Sequence, residues 1–191
     1  VLGLETGMPS IKVVPTEDTS RVGYELVQSE FGKGAPGALQ VVTGRTDAAD
    51  VKAAIEADAG VAAVMPPQPS ADGKRVMLQV VPAVDPSDPA LGDTIDRLRD
   101  DLPQTALVGG ASAENHDLET ELARATPLAV GVVLALGFLL LLVALGAPLV
   151  ALIGTVTNLL ATLAAFGVAR LIFQEGHLSG LLGFESQGFL N

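Results

Sequence analysis

From Pro127 to Ala169 the chain contains no Asp, Glu, Lys, Arg or His. No other feature limits the possible folds so tightly. The run splits at Gly146-Ala147-Pro148 into two apolar stretches, 128–145 and 149–173. As helices these would be roughly 27 and 37 Å long, against a bilayer hydrocarbon core of about 30 Å. The intervening turn is too short for anything except an antiparallel hairpin. The expectation is an α-helical transmembrane hairpin whose two flanks emerge on the same side of a membrane.

The rest of the chain is a different material. Residues 1–126 hold ten of the eleven Lys and Arg and twenty of the twenty-two Asp and Glu, a formal charge of −10. The mean hydropathy of +0.46 therefore averages a polar domain with a membrane segment. The acidic balance argues against nucleic acid as a partner, because phosphate binding needs a basic surface. It also argues against general adhesion of the polar part to anionic headgroups. With no Cys there is neither a disulfide framework nor thiolate-ligated zinc, and with no Trp and one Tyr there is no stacking platform.

The polar part reads as alternating elements. Val22, Leu26, Val27 and Phe31 recur at helical spacing and predict a helix over 17–31 capped by Thr16, packed beside the domain. Strands follow at 39–43, 61–65, 75–81 and 106–108. Helices lie between them, one with Ala48, Val51, Ala54 and Ile55 inward, the other with Leu91, Ile95, Leu98 and Leu102. Thr46 or Asp47 is placed at the start of the first and Gly60 just past its end; Asp88 or Pro89 opens the second. The order β-α-β-β-α-β predicts an α+β, ferredoxin-like domain with both helices on one sheet face. Ser112 is expected to cap a further helix that runs, kinked near Pro127, directly into the first apolar span. The resulting divisions are a lead-in and the end of a preceding helix at 1–9, the domain at 10–111, a connecting helix at 112–127, the two spans, and an interfacial segment at 174–191. Because Val1 stands where a natural chain has Met, the sequence is expected to be an internal fragment.

No enzyme site is expected. Glu114, Asn115, His116, Asp117 and Glu119 form the one His-acid cluster, and a single His in an acidic first helical turn reads as solvated surface, not a metal centre. The glycines at 32–37 and 109–110 lack the phosphate-loop pattern, and neither His116 nor His177 adjoins a nucleophile motif. No cofactor is expected. The polar residues of the second span are Thr155, Thr157, Asn158 and Thr162, and the candidates are Thr155, Asn158 and Thr162, with Arg170 at its end. Asn158 could line a path through a bundle or bond across helices, and Thr hydroxyls could bond their own backbone. Arg170 could pair with a relay or lipid group, or snorkel to the interface.

The hairpin carries motifs of a known family. Pro148, Asn158-Leu159-Leu160, Ala165-Phe166-Gly167-Val168, Phe173-Gln174-Glu175-Gly176 and Leu181-Leu182-Gly183-Phe184 resemble the MMPL family of the RND superfamily. Arg21 and Tyr24, Phe31-Gly32 and Gly109-Gly110 are similar to that family's porter domains. The resemblance implies a piece of the second half of a proton-driven exporter: an extracytoplasmic porter domain and two helices of a multi-pass protein of the cytoplasmic membrane. It implies lipid or hydrophobic cargo, with membrane lipids and the remaining helices of the parent chain as partners, and leaves a homo-oligomer open. The family's Asp-Tyr relay pair has no counterpart, since no Asp adjoins Tyr24. A non-transporting, membrane-anchored binding or assembly module is the alternative.

Overall fold

A computed structural model describes Ile11 and residues 14–174. The expected lead-in at 1–9 and nearly all of the expected interfacial segment at 174–191 lie outside the described residues. The chain divides into two units between Leu118 and Glu119, and that division falls inside a single helix.

The first unit is built on a five-stranded antiparallel sheet of β1 (Leu39–Gly44), β2 (Val61–Val64), β3 (Gln68–Pro69), β4 (Arg75–Pro82) and β5 (Leu107–Gly109). Its spatial order is β2-β4-β1-β5, with the short β3 paired to β4. The register pairs Leu39 with Val80, Val41 with Leu78 and Thr43 with Val76. Alternation along both strands thus sends these residues to one face. Against that face lie Val51 and Ile55 of α2 (Ala48–Ala57) and Leu91, Ile95 and Leu98 of α3 (Ala90–Asp101), all buried in one cluster. The opposite face carries the exposed pair Gln40 and Gln79. Burying the three α3 side chains contributes on the order of 6 kcal/mol, which helix propensity alone does not approach.

Several local expectations change. The first helix, α1, is Thr19–Phe31, and its cap is Asp18, whose carboxylate accepts from the Ser20 N–H at 2.8 Å, not Thr16. Its apolar residues do not pack: Val22, Leu26 and Phe31 stay exposed. Polar contacts tie α1 down instead. Gln28 Nε2 donates to Asp85 Oδ2 at 2.6 Å, and the Tyr24 hydroxyl also bonds Asp85. Gly60 does not end α2 in a left-handed turn. The helix closes at Asp58, and Gly60 is needed because a Cβ there would lie 2.2 Å from Thr94 Oγ1. Ser112 is not a cap either; its hydroxyl donates to the Gly37 carbonyl at 3.0 Å.

The helix α4 spans Ala111–Leu145 without a break in assignment at Pro127. Its first turn belongs to the domain core through Ala113, which is fully buried. Gly146, at φ +60°, turns the chain, and Pro148 occupies the first turn of α5 (Pro148–Ala169), where a missing N–H costs nothing. After Ala169 the α-helical pattern gives way to a π-helical turn, Arg170–Gln174. Both helices are long and apolar enough to cross a membrane.

Candidate functional site

In the apolar hairpin, polar side chains are few, and three of those on α5 share one line with Ala151, while Thr157 stands off it, exposed. Ala151, Thr155, Asn158 and Thr162 recur at helical spacing and form one stripe along α5. The Thr155 hydroxyl donates to the Ala151 carbonyl at 3.0 Å, and Thr162 donates to the Asn158 carbonyl at 2.9 Å. Both hydroxyls are thus satisfied within their own helix, which lets them sit in hydrocarbon without a partner elsewhere. Asn158 differs. Its side chain is exposed and makes no hydrogen bond among the described residues. An amide carries two donors and a double acceptor, so in hydrocarbon it would demand a partner from another helix, or water. Arg170 opens the π-helical turn at the far end of α5 and is half-buried.

The hairpin glycines do not mark close approaches within it. A Cβ added at Gly131, Gly137 or Gly167 meets nothing within 4 Å, and at Gly154 it meets only Leu141 Cδ1 at an ordinary 3.5 Å. The apolar side chains beside them are open: Leu128, Leu140 and Val143 are 71% exposed or more. The hairpin therefore presents apolar surface with no partner in the described chain.

In the domain, ionisable groups are arranged as structural ties. Arg97 holds Asp58 through two contacts of 3.0 Å, and Gly60 N–H adds a third bond at 2.7 Å. The Arg97 guanidinium thereby keeps the Asp58 carboxyl below the usual carboxylate range. Arg99 does the same for Asp117 and also donates to the Val108 carbonyl, joining α3, β5 and the first turns of α4. Burial, then the charge of Asp85, pushes the Tyr24 phenol well above its ordinary value, so it stays a protonated donor. His116 faces Asp96 at 2.9 Å and packs over Gly92, while its neighbour Asp117 turns to Arg99. The acidic cluster is thus split between partners. No group of three metal-ligating side chains occurs among the described residues.

None of these ties was readable beforehand, because each joins residues far apart in sequence. The Tyr24–Asp85 bond and the Asp58–Arg97 pair had no local signal. Placing Thr155, Asn158 and Thr162 on one stripe of α5 needed only the helical period.

The MMPL family description matches residues 33–185. The chain is 29% identical to membrane protein YdfJ of Bacillus subtilis over 97% of its own length and 27% of that protein. It is 31% identical to the heme uptake protein MmpL11 of Mycobacterium tuberculosis over 84% of its length and 18% of that protein. It is 30% identical to the mycolic acid-containing lipids exporter MmpL11 of Mycolicibacterium smegmatis, over 87% of the chain and 19% of the relative. The chain thus spans about a fifth to a quarter of the relatives it matches.

Proposed function

This chain belongs to the MMPL family, and from that premise we propose that it is part of a proton-driven exporter of lipids or other hydrophobic solutes across the cytoplasmic membrane. Members of the family are transporters, not enzymes. The observation that carries the reading is α4, one helix from Ala111 to Leu145 whose first turn lies in the domain core and whose residues from Pro127 onward carry no charge. A binding domain tethered by a flexible linker would lack such a continuous element.

In this reading the first unit is a ferredoxin-like porter unit on the extracytoplasmic side. The strand order β2-β4-β1-β5, antiparallel throughout, with α2 and α3 on one face, supports it. The two apolar helices are transmembrane spans in this reading. Asn158 faces the transport path or a helix beyond this hairpin, Thr155 and Thr162 keep the same stripe small and self-satisfied, and Arg170 anchors the end of the second span. Proton coupling belongs to other helices of the intact protein, since the apolar run has no titratable group. Tyr24 and Asp85 form a bonded pair, but both lie in the polar unit. The relatives' names describe uptake in one case and export in another, so direction rests on the superfamily resemblance.

The intact protein in proteoliposomes, with an imposed pH gradient, should move a fluorescent lipid between leaflets or out of the vesicle. Movement unaffected by collapsing the gradient would remove the proton drive, and no movement at all would favour a membrane-anchored binding module. Asn158→Leu should reduce flux severalfold while leaving expression unchanged; wild-type flux would make Asn158 a bystander.

A further inference from the structure

The domain holds α1 differently from α2 and α3. Among the described residues α1 buries no side chain, whereas α2 buries Val51 and Ile55 and α3 buries Leu91, Ile95 and Leu98. The helix also sits inside out. Its half-buried residues are Arg21, Tyr24 and Gln28, while Val22, Leu26 and Phe31 are exposed. The apolar side chains therefore contribute little to holding it in place.

At its C-terminal end α1 meets a joint. Gly32 has φ +99°, and a Cβ there would meet nothing within 4 Å, so the backbone is turned in open space. The next residues are pinned. A Cβ at Gly34 would overlap the Pro82 carbonyl oxygen, and one at Gly37 would overlap Pro86. The Ser112 hydroxyl donates to the Gly37 carbonyl at 3.0 Å. A free joint thus separates an anchored turn from a helix that buries nothing.

What closes the joint is polar. Asp85 Oδ2 accepts from Gln28 Nε2 at 2.6 Å, and the Tyr24 hydroxyl bonds the same carboxylate. Asp85 Oδ1 accepts from the Ser87 N–H at 2.9 Å and the Ser87 hydroxyl at 2.6 Å, which fixes the carboxylate on the loop between β4 and α3. Gln28 Nε2 also donates to the Lys33 carbonyl at 2.8 Å, across Gly32. One amide nitrogen therefore serves both the joint and the clasp. Each such bond shifts an opening equilibrium by roughly fivefold, whereas each buried Leu or Ile of α3 shifts it by roughly ten- to a hundredfold.

We propose that α1 is a hinged strap. It turns at Gly32, is closed by the clasp of Tyr24 and Gln28 on Asp85, and opens as one unit while the sheet, α2 and α3 stay folded. Arg21 Nη1 donates to the Val14 carbonyl at 3.0 Å, so the chain leading into α1 moves with it. The device belongs to the fold of the domain and does not depend on transport.

The test is amide hydrogen exchange of the intact protein in detergent micelles, followed by mass spectrometry. Amides from Tyr24 to Phe31 should share one protection factor, at least about a hundredfold below that of Ile95 and Leu98 in α3. Gln28→Ala removes the bonds to Asp85 and Lys33 but improves helix propensity, and should speed α1 exchange about tenfold or more. Tyr24→Phe, which removes only a hydroxyl, should speed it about fivefold. Leu26→Gln, similar in helix propensity, should change it less than about twofold. In all three variants the β1 and β4 amides should keep their wild-type rates. Protection of α1 equal to that of α3, or graded from one end as in fraying, overturns the strap. So does an effect of Leu26→Gln as large as that of Gln28→Ala, or equal acceleration of β1 and β4.

Discussion

Leu98 on α3 is 2% exposed and Leu140 on α4 is 71% exposed, although both sit on helices. The first has Ile95, Leu78 and Val41 in the same buried cluster. The second has no such cluster in the described chain. The same side chain thus does two jobs. In the domain it is removed from water by other parts of the chain, and the position of each neighbour matters. In the hairpin it needs an apolar solvent, and only its hydrophobicity matters. The difference separates a unit held by packing from one that depends on its surroundings.

The hardest blow to the packed unit is Leu78→Ala, which should cost about 2–5 kcal/mol because it empties a site enclosed on every side. Hydrogen exchange of the β1 and β4 amides should accelerate roughly thirtyfold or more. Leu140→Ala should leave those amides unchanged; equal acceleration would erase the distinction. The reverse test is Leu140→Lys. Placing a charge in the apolar run should cost about 2.5–3.5 kcal/mol of membrane insertion. Protease protection of the hairpin in membranes would report it, and unaltered protection would mean the helix does not lie in lipid.

Glycines sharpen the contrast at smaller scale. Gly60→Val should cost about 1–3 kcal/mol, since Thr94 already occupies the space of its Cβ. Gly131→Ala, with nothing within 4 Å, should be neutral or slightly stabilising in thermal unfolding of the intact protein. The smallest effect is on acid stability. Asp58 has its pKa lowered in the folded state, chiefly by the hydrogen bond from Arg97. Its contribution is therefore present above the ordinary carboxylate value and lost as pH falls through the folded one. Asp58→Asn should lower stability at neutral pH and flatten its decline below about pH 4. An unchanged acid limb would show that the pair is not linked to folding.

Much of the domain was legible because burial imposes a period. Leu91, Ile95 and Leu98 mark the inner face of α3, and Val76, Leu78 and Val80 that of β4, as expected from spacing alone. The failures have a common physical origin. Val22, Leu26 and Phe31 have the spacing of a packed face, yet spacing does not say whether a partner surface exists. Gly60 looked like a helix terminator because its role, making room for Thr94, is set by a residue 34 positions away.

The uncharged run from Pro127 to Ala169, by itself, determined two helices long and apolar enough to cross a membrane, joined by a short turn, because hydrophobicity and helical length are properties of the chain. The alternation of apolar residues likewise determined which faces of β1, β4, α2 and α3 would meet. What only tertiary structure decided were the pairings across distance: Asp58 with Arg97, Tyr24 with Asp85, and Asp117 with Arg99. Charges and hydrogen-bonding groups act within a few ångströms, so their partners are chosen by the fold and not by neighbours in sequence.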